Sequence, residues 1–544
     1  MAFNWGDLFE HAVDAIPDRT ALICGDTTLS YRELEERVNR LGHHLIDEGI
    51  EPGDHIGIYG YNSLEWVEAL LAILKVRAVP VNVNYRYVEG ELKYLFGNAD
   101  LKALFYDEEF GPRIAAVKQN LPLLKTLVMI EDGSGASQDG LEAAPLSKAL
   151  ANGSPERDFP ERSGDDQIII YTGGTTGMPK GVMWRSEDIF FGLAGGIDPF
   201  TRERVVSETE QAAKAAAAGG QLLFMIAPPL MHGAAFIATT MQLFQGNVSV
   251  IVPKWDPAEA WRLIAKHKVN SILIVGDAMG RPLIEALEEL EAAGTELDLS
   301  SFFSVSSSAA VFSPTVKDRF LERFENLIIT DSIGATESGF NGIVTVGKGN
   351  TAMSAGGPTV SPGRDTVVLD DDLNIVEPGS EVVGKIARGG NIPLGYYKDP
   401  VKTAETWVTA KDGKRYAVPG DFAMVLADGS VTLMGRGSVS INTGGEKVYP
   451  EEVEQALKAH PAVFDVVVIG VPDERWGQRV AAVVQARAGE TPSLEELDQH
   501  CRSFVAGYKV PRELHLVDEV VRSPSGKPDY RWAKSIAEAG TTTS

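Results

Sequence analysis

The sequence predicts an α/β protein with two domains. Helical and strand patterns alternate through its first third, as where SYRELEERVNRLGHHLIDEG precedes HIGIYG and SLEWVEALLAILKV precedes AVPVNVN. Such alternation is typical of a sheet flanked by crossover helices. At 544 residues the chain is also too long for one ordinary hydrophobic core. A change of pattern after Arg436 then divides it into a large domain, residues 1–436, and a small one, residues 437–544.

Local patterns predict the elements of the large domain. Residues 30–49 carry apolar side chains at helical spacing: Leu34, Val38, Leu41 and Leu45. Residues 133–167 are rich in glycine, serine, proline and aspartate, so we expect a connecting loop. The alanine-rich stretch 203–220 predicts a helix that ends at its glycines, either a plain surface helix or a lid over a pocket. Two apolar runs around Asp428 and Gly429 predict a hairpin.

The small domain has its own helix and strand signals. Pro450 stands at the first turn of a predicted helix, which an apolar strand follows. Ser493 and Glu496 have the spacing of a capping box at the start of another helix. The segment is long enough for an independent α+β domain.

Composition excludes several classes of partner. A formal net charge of −26 argues against a nucleic acid or an anionic membrane, which would be repelled over most of the surface. Two cysteines are too few for a disulfide framework and favour a reducing compartment. The N-terminus has charges throughout, and no run of about 18 apolar residues occurs. We therefore expect a soluble, cytoplasmic protein without stable membrane insertion.

The stretch IIIYTGGTTGMPKGVMW, residues 168–184, joins an apolar strand to a segment rich in glycine and hydroxyl groups. Glycines let a ligand approach the backbone, whose N–H groups bind anions, and Lys180 adds positive charge. The stretch is not a Walker A loop, because Pro179 precedes Lys180 and Gly181 follows it. It predicts a polyphosphate site; the alternative is a flexible glycine turn with a solvated lysine.

This stretch resembles the phosphate loop of the adenylate-forming superfamily, which includes acyl-CoA synthetases, luciferases and peptide-synthetase adenylation domains. The resemblance implies that ATP phosphates bind to the residues Thr172, Gly173, Gly174, Thr175, Thr176, Gly177 and Lys180. The family's other segments follow in the family's order along nearly the whole chain.

PPLMHGAAF, residues 228–236, is similar to the family's P-x-x-H segment. The similarity implies that His232 borders the pocket where the carboxylate is activated, although a histidine in the core or at the surface is the plain alternative. Gly233, Ala234 and Gly334 would contact the acyl substrate. The small residues that follow His232 suggest a roomy pocket.

Two segments resemble those that bind adenine and phosphate. SVSSSAAVFSP, residues 304–314, resembles the adenine-flanking segment and implies contacts from Ser308 and Ala309. DSIGATESG, residues 331–339, resembles the Y-G-x-T-E segment, which implies nucleotide contacts from Asp331, Ser332, Ile333 and Gly334. Thr336 would contact a phosphate, and Glu337, together with Thr172, would hold Mg²⁺. Ile333 stands where the family usually has an aromatic residue, so an aliphatic face would replace ring stacking.

Two further segments resemble core and ribose elements. GKIARGGNIPLGYYKDP, residues 384–400, resembles the G-Y-x-x-P segment, in which we expect Gly395 and Tyr396 to shape the fold. RYAVPGDFA, residues 415–423, resembles the ribose-binding T-G-D element, with Pro419 in place of the threonine. Asp421 would accept hydrogen bonds from both ribose hydroxyls.

The last segments resemble the hinge and the catalytic loop of the small domain. In GRGSVSINTGGEKVYPEEVE, residues 435–454, Arg436 would contact ribose or phosphate, and Ser438 replaces the family's usual Asp or Lys. Gly444, Gly445 and Lys447 would face coenzyme A, although a solvated Lys447 is as plausible. In SPSGKPDYRWAK, residues 523–534, Lys527 would be the mobile catalytic lysine.

The resemblance implies a large domain of mixed sheets with flanking helices and a β-barrel-like portion, followed by a small mobile α+β domain. It also implies an ATP- and Mg²⁺-dependent ligase that adenylates a carboxylic acid and passes the acyl group to coenzyme A. The residues of these motifs resemble most closely those of synthetases for long-chain fatty or steroid side-chain acids. A homodimer is compatible with the sequence.

Three alternatives remain open. An amine could replace coenzyme A as the acyl acceptor. A serine hydrolase could use SVSSSAAVFS, but the chain has no G-x-S-x-G elbow. A non-catalytic nucleotide sensor would account for Ile333 and Ser438, but Lys527, Glu337 and Asp421 all stand in place.

Overall fold

The computed structural model describes residues 3–172, 178–309, 312, 314–348, 359–436, 441–448, 450–458, 460–521 and 530–540. Its helices are α1 Trp5–Ala15, α2 Tyr31–Asp47, α3 Leu64–Lys75, α4 Glu89–Asn98, α5 Gly111–Lys118, α6 Leu146–Asn152, α7 Ser186–Leu193, α8 Glu210–Ala217, α9 Gly233–Phe244, α10 Pro257–His267, α11 Gly276–Ala292, α12 Pro314–Arg323, α13 Pro400–Thr406, α14 Pro450–Lys458, α15 Leu494–Cys501 and α16 Tyr530–Gly540.

The strands alternate with these helices. They are β1 Thr20–Cys24, β2 Thr27–Ser30, β3 His55–Tyr59, β4 Val79–Asn82, β5 Ala103–Asp107, β6 Thr126–Ile130, β7 Ala143–Pro145, β8 Gln167–Thr172, β9 Lys180–Arg185, β10 Leu223–Ile226, β11 Val248–Ile251, β12 Ser271–Ile274, β13 Ser304–Ser308, β14 Ile328–Ala335, β15 Gly339–Val346, β16 Thr359–Pro362, β17 Thr366–Leu369, β18 Val383–Arg388, β19 Gly395–Tyr396, β20 Trp407–Thr409, β21 Arg415–Ala417, β22 Asp421–Val425, β23 Val431–Arg436, β24 Ile441–Thr443, β25 Glu446–Val448, β26 Val463–Asp473, β27 Gly477–Ala486 and β28 Glu513–Val517.

Two large sheets and one small sheet organise the described residues. The largest runs β2-β1-β11-β10-β12-β13-β14-β15-β16-β23-β22-β18-β21-β20, with β17 beside β18. Its strands pair in parallel from β1 to β14 in this order. The pairs β14–β15, β15–β16, β16–β23, β22–β18, β18–β21 and β21–β20 are antiparallel. The second sheet runs β19-β9-β8-β4-β3-β5-β6-β7, and the small sheet runs β25-β24-β27-β26, with β28 beside β27. The α/β prediction is confirmed.

The chain forms two compact units. Unit 1 comprises Met1–Tyr85, Phe96–Tyr171 and Gly181–Gly435, and unit 2 comprises Arg86–Leu95, Thr172–Lys180 and Arg436–Ser544. Unit 2 is therefore built mainly from the C-terminal segment, with two short contributions from earlier in the chain.

In unit 2 the strands β26 and β27 bury side chains on both faces. One face contributes Val466, Val468, Val480, Ala482 and Val484 to a core with residues of α14 and α15. The other contributes Val467, Ile469, Ala481 and Val483 to a core with residues of α16. Successive residues of a strand point to opposite faces, so a nearly continuous apolar run produces both cores.

Capping residues set several helix boundaries. Ser493 and Glu496 form the predicted capping box at α15, and the structure shows a second one, from Ser30 and Glu33, at the start of α2. Helix α14 begins at Pro450, and α8 ends at Ala217, before the glycines.

The prediction that residues 133–167 form a plain loop was wrong for the middle of that stretch. It holds the short strand β7 and the helix α6, whose Leu146 and Ala149 are buried in the main core of unit 1. Polar residues around α6 hid this short apolar face. The residues after α6 are fixed by ion pairs: Arg157 contacts Glu35, and Arg162 contacts Asp7.

Candidate active site

The nucleotide segments predicted in unit 1 lie at the carboxyl ends of adjacent parallel strands. Strand β13 pairs with β14 so that Ser307 is opposite Asp331 and Ser308 is opposite Ser332. Ala309 follows directly. Ligands bind at this edge of open α/β sheets. The structure thus brings together two segments that the sequence separates, consistent with a shared adenine site.

Ala309 adopts a left-handed backbone with φ of +66°. This conformation costs a non-glycine residue of order 1–3 kcal/mol and is concentrated at functional sites. Among the residues predicted to border adenine, Ala309 is thus the one that carries backbone strain.

Asp331 is held from the neighbouring helix. The Lys317 ammonium of α12 donates to Asp331 Oδ2 at 2.9 Å, and both side chains are largely buried. The same ammonium lies 5.4 Å from the centre of the Phe312 ring. The Lys317 side chain therefore fixes the Asp331 carboxylate.

Ile333 packs against the apolar cluster of the antiparallel strands, which includes Val360, Val368 and Ile386. The expectation that its aliphatic face lies under adenine stays a prediction. The chain register shifts at the next residue, between Ile333 and Gly334.

Thr336 and Glu337 occupy the tip of the β14–β15 hairpin. Ala335 pairs with Gly339, and the Ser338 N–H donates to the Ala335 carbonyl at 3.1 Å. Gly334 admits no side chain, because a Cβ there would lie 2.5 Å from the Gly339 carbonyl oxygen. The glycine before the Thr-Glu pair is thus required by the close approach of the two strands.

Two side chains from distant segments contact this tip. The Trp184 Nε1–H donates to the Thr336 carbonyl at 3.0 Å, and the Tyr396 hydroxyl donates to Glu337 Oε1 at 3.2 Å. Neither residue was assigned a role at the site from the sequence, where Tyr396 was expected only to shape the fold. The Gly395-Tyr396 motif was the only feature of the sequence analysis that pointed to Tyr396.

The donor set at this site fits a Mg²⁺ ion that nucleotide phosphates help to bind. Among the described residues, no group of three His, Cys, Asp or Glu side chains could enclose a metal. Mg²⁺ is commonly held by one or two carboxylates together with substrate phosphates. Glu337, half-buried at the hairpin tip, supplies a hard carboxylate oxygen of that kind.

The P-x-x-H segment is fixed by two buried asparagines. The Asn62 amide donates to the Pro228 carbonyl and accepts from the Leu230 N–H, and the Asn82 amide donates to the Met231 carbonyl at 2.6 Å. These contacts set the backbone just before His232. The sequence analysis missed both asparagines; for Asn82 the signal was a polar residue at the end of the apolar strand AVPVNVN.

His232 precedes α9 and is half-buried, as is Gly233 at the helix start. Ala234 is exposed, while Phe236 on the same helix packs against Trp66 at a ring distance of 5.8 Å. The first N–H groups of a helix are unpaired within it and attract negative charge. A substrate carboxylate beside His232 would meet such an environment.

The remaining residue of unit 1 that the sequence predicts to bind the nucleotide is Asp421. It opens β22, is half-buried, and follows Gly420, which has a φ of +96°. The predicted hairpin around Asp428 and Gly429 joins β22 to β23 and is confirmed.

Thr172 and Lys180, the described ends of the predicted phosphate loop, belong to unit 2. Thr172 ends β8, and its buried hydroxyl has no hydrogen-bond partner among the described residues. An orphaned hydroxyl at this point fits a missing phosphate or metal ligand. Lys180 begins β9 and is half-buried. The residues between them, Gly173–Gly177, lie outside the described part of the chain.

Gly444 and Gly445 form a two-residue turn between β24 and β25. Their φ values are +59° and +84°, as a type I′ hairpin turn requires. The Gly444 N–H donates to the Trp476 carbonyl at 3.0 Å, and a Cβ on Gly444 would lie 2.7 Å from the Trp476 ring. Glycine is therefore required at position 444 for two reasons: the positive φ and the close approach of the Trp476 ring.

Besides Gly173–Gly177, four predicted residues can be located only in part or not at all. Arg436 ends β23 and Lys447 lies in β25, but their side chains are outside the described structure. Ser438 and Lys527 also lie outside the described residues.

The structure disfavours cysteine or serine nucleophiles. Burial raises the pKa of the Cys24 thiol to about 11 and that of the Cys501 thiol to about 12, which suppresses the reactive thiolate. In SVSSSAAVFS, the Ser306 hydroxyl accepts from Thr330, and the Ser307 hydroxyl accepts from the Gly276 N–H. These serines connect neighbouring strands and loops.

Within the described residues, no helix combines the length and apolar character needed to span a bilayer.

Comparison with known proteins identifies relatives of high sequence identity. A relative from Mycobacterium tuberculosis strain H37Rv is 55% identical over 539 residues, which cover 99% of this chain and 97% of the relative. It is named a medium/long-chain-fatty-acid–CoA/3-oxocholest-4-en-26-oate–CoA ligase. The 3-oxocholest-4-en-26-oate–CoA ligase of Rhodococcus rhodochrous is 54% identical, with 98% of this chain and 96% of the relative covered.

Solved structures share the fold at lower identity. The amide bond synthetase McbA from Marinactinospora thermotolerans matches with a TM-score of 0.78 at 21% identity, covering 98% of this chain and 99% of that one. A double mutant of o-succinylbenzoate CoA synthetase from Bacillus subtilis matches with a TM-score of 0.79 at 21% identity, covering 97% and 98%. The predicted mixed sheets, flanking helices and small C-terminal domain agree with these folds.

Family models account for most of the sequence. The model described as AMP-binding enzyme matches residues 9–397, and the model described as AMP-binding enzyme C-terminal domain matches residues 452–527. The predicted resemblance is confirmed, and the chain belongs to the AMP-binding enzyme family.

Proposed function

We propose that the protein is an AMP-forming acyl-CoA ligase for a medium- or long-chain fatty acid or a steroid side-chain acid. The observation that carries the proposal is the identity of 55% across 99% of the chain to a ligase of that name. We place the reaction in the cytoplasm, with the acid, ATP and coenzyme A as its small-molecule partners.

In the first half-reaction the substrate carboxylate attacks the α-phosphorus of ATP. The new C–O–P linkage forms as the bond from the α-phosphorus to the bridging oxygen breaks, and pyrophosphate leaves. Negative charge spreads over phosphate oxygens, so catalysis depends on positioning and charge stabilisation. Lys180 and the loop Thr172–Gly177 would bind the β- and γ-phosphates, and Lys527 would bridge the carboxylate and the α-phosphate.

The nucleotide would be bound by the strand ends of unit 1. Ser308, Ala309 and the segment Asp331–Gly334 would border adenine, and Asp421 would accept from the ribose hydroxyls. Thr336 would contact a phosphate, and Glu337, with Thr172, would hold Mg²⁺. When bound, Mg²⁺ would neutralise phosphate charge. His232, Gly233, Ala234 and Gly334 would face the acid.

In the second half-reaction the thiol of coenzyme A attacks the acyl carbon. The C–S bond forms, the bond to the AMP oxygen breaks, and the thiol proton is released. We propose that the C-terminal domain, residues 437–544, turns about Arg436–Ser438 between the half-reactions. Gly444, Gly445 and Lys447 would then face coenzyme A.

The test is pyrophosphate release with ATP, Mg²⁺ and coenzyme A across short, medium and long fatty acids, aryl acids and steroid side-chain acids. Lys527→Ala should lose turnover, whereas Lys534→Ala, an exposed lysine on α16, should keep it. If no acid supports pyrophosphate release although ATP binds, the ligase proposal fails and a nucleotide sensor is favoured.

The acyl acceptor needs its own measurement, because the fold is shared by a CoA synthetase and an amide bond synthetase. AMP release from the preformed adenylate should require coenzyme A. If simple amines replace coenzyme A with equal rates, the protein makes amides instead of thioesters.

A further inference from the structure

Glu337, the proposed metal-binding carboxylate, accepts a hydrogen bond from a tyrosine that is itself rigidly held. Tyr396 lies in β19, which pairs with β9 so that Tyr396 is opposite Val182. Its N–H donates to the Thr403 hydroxyl at 2.9 Å, and the Trp407 ring packs edge-on against it at 5.0 Å. Main chain and ring are thus both fixed, which directs the phenol toward Glu337.

Gly395 shows how closely this region is packed. A Cβ at Gly395 would lie 2.4 Å from Thr403 Cγ2, and the glycine has a φ of +149°. The threonine that occupies this space also accepts the Tyr396 N–H. The Gly-Tyr motif therefore sets the direction of one particular hydroxyl group.

The main chain of the same hairpin tip is supported by Trp184. The indole is fully buried and donates to the Thr336 carbonyl at 3.0 Å. A Cβ at Gly339 would lie 3.3 Å from Trp184 Cη2, so the ring also contacts the base of the turn. The tip is thus held by a hydrogen bond to its backbone and by another to its carboxylate.

We propose that Tyr396 is a positioning residue for Glu337, and that Trp184 plays the same part for the Thr336 backbone. The proposal rests on the proposed function, in which Glu337 holds Mg²⁺. A phenol donating to one carboxylate oxygen restricts rotation of the group and keeps the carboxylate aimed at the nucleotide phosphates. Outer contacts of this kind typically contribute about 10- to 100-fold in metal affinity.

Direct binding tests the proposal without relying on activity. Mn²⁺ in place of Mg²⁺ would be titrated by electron paramagnetic resonance in the presence of a non-hydrolysable ATP analogue. Tyr396→Phe should weaken Mn²⁺ binding by about 10- to 100-fold and leave metal-free nucleotide binding unchanged. The adjacent Tyr397→Phe is the matched control, because it also removes a phenol-to-carboxylate hydrogen bond, from Tyr397 to Asp100 at 2.8 Å.

A second pair of variants tests the hydrogen bond from Trp184 to the Thr336 backbone. Trp184→Phe removes the indole N–H that reaches Thr336 and should weaken Mn²⁺ binding several-fold. Trp261→Phe removes a buried indole bond to the Leu283 carbonyl and should leave it unchanged. Equal Mn²⁺ affinity in Tyr396→Phe, Tyr397→Phe and the unmodified protein would overturn the proposal.

Two further variants keep the outcome interpretable. Thr403→Val is the alternative if Tyr396→Phe fails to fold, because it retains the phenol but removes the acceptor of the Tyr396 N–H. It should weaken Mn²⁺ binding several-fold. Unchanged Mn²⁺ binding in Thr403→Val would again overturn the proposal. Glu337→Gln separates the two levels of argument. If it leaves Mn²⁺ affinity intact, the metal role in the proposed function fails; if it abolishes binding while Tyr396→Phe does not, only the positioning role fails.

Discussion

Replacing Lys509 by methionine should strongly destabilise unit 2. The Lys509 ammonium lies 2.8 Å from Glu91 Oε1, and the two side chains are 2% and 1% exposed. It also lies 4.9 Å from the centre of the Tyr87 ring. Lys509→Met leaves the Glu91 carboxylate buried without its cation, which typically costs about 3–5 kcal/mol.

Paired substitutions isolate that interaction. Glu91→Leu should also be destabilising, because it removes the carboxylate that the buried ammonium contacts. The double variant Lys509→Met/Glu91→Leu should be close to the unmodified protein, since replacing a buried ion pair by apolar side chains is often neutral or stabilising. Arg502→Met is the control: its pair with Asp498 is about half exposed on the arginine side, at 48%, and exposed pairs contribute about 0.2–1 kcal/mol.

Hydrogen–deuterium exchange is the suitable assay, because the two units of a long chain need not unfold together. Amides of β28 and of the segment 86–95 should exchange about 100-fold faster or more in each single variant, since 1.36 kcal/mol corresponds to tenfold. Near-native protection in both single variants, or a double variant no better than either one, would refute the reasoning.

Three further changes have defined outcomes. Lys75→Met removes a fully buried ammonium from Glu10 and Glu35. Because these carboxylates keep their pairs with Arg162 and Arg157, we expect unit 1 to lose less than the about 3–5 kcal/mol that a fully unpaired buried charge costs, measured by calorimetry. Burial raises the pKa of Asp107 to about 7, so the folded state binds the Asp107 proton more tightly than the unfolded state does. The stabilisation from this proton is therefore lost as pH rises from about 4 to 7. Asn has no proton to lose, so Asp107→Asn should raise Tm by an amount that grows over that pH range. Gly334→Ala forces a Cβ against a carbonyl oxygen across the hairpin and should cost about 1–3 kcal/mol while slowing pyrophosphate release.

Controls distinguish these effects from general damage. Lys266→Met alters an exposed pair with Asp26 and should leave Tm nearly unchanged beside Lys75→Met. A Tm difference between Asp107→Asn and the unmodified protein that stays constant from pH 4 to 7.5 would contradict the assigned titration. Gly294→Ala, where a Cβ would meet open space but φ is +78°, measures backbone strain alone for comparison with Gly334→Ala.

Sequence patterns predicted what depends on local interactions. The start of α15 follows from the capping box of Ser493 and Glu496, and the β22–β23 hairpin follows from the Asp428-Gly429 turn. The middle of 133–167 was missed because α6 spans only seven residues and buries few of them. Its stability comes from packing, which a local pattern does not reveal.

The contacts that hold the motifs were beyond local reasoning for a different reason. The bond between Trp184 and Thr336 joins residues 152 positions apart, and that between Tyr396 and Glu337 joins residues 59 apart. Motif resemblance identified the residues proposed for the chemistry, whereas the donors that orient them come from separate strands. Such pairings are fixed by topology, so they become visible only when the sheets are assembled.

Two buried asparagines hold the backbone of the P-x-x-H segment from outside the helix that follows it. Asn82 binds the carbonyls of both Met231 and Tyr171, and Asn62 binds the carbonyls of Pro228 and Val252. The backbone leading to His232 is therefore anchored from outside its own helix. A substitution along α9 would therefore leave the hydrogen bonds that hold residues 228–231 in place, so helix side chains and this stretch of main chain can vary independently.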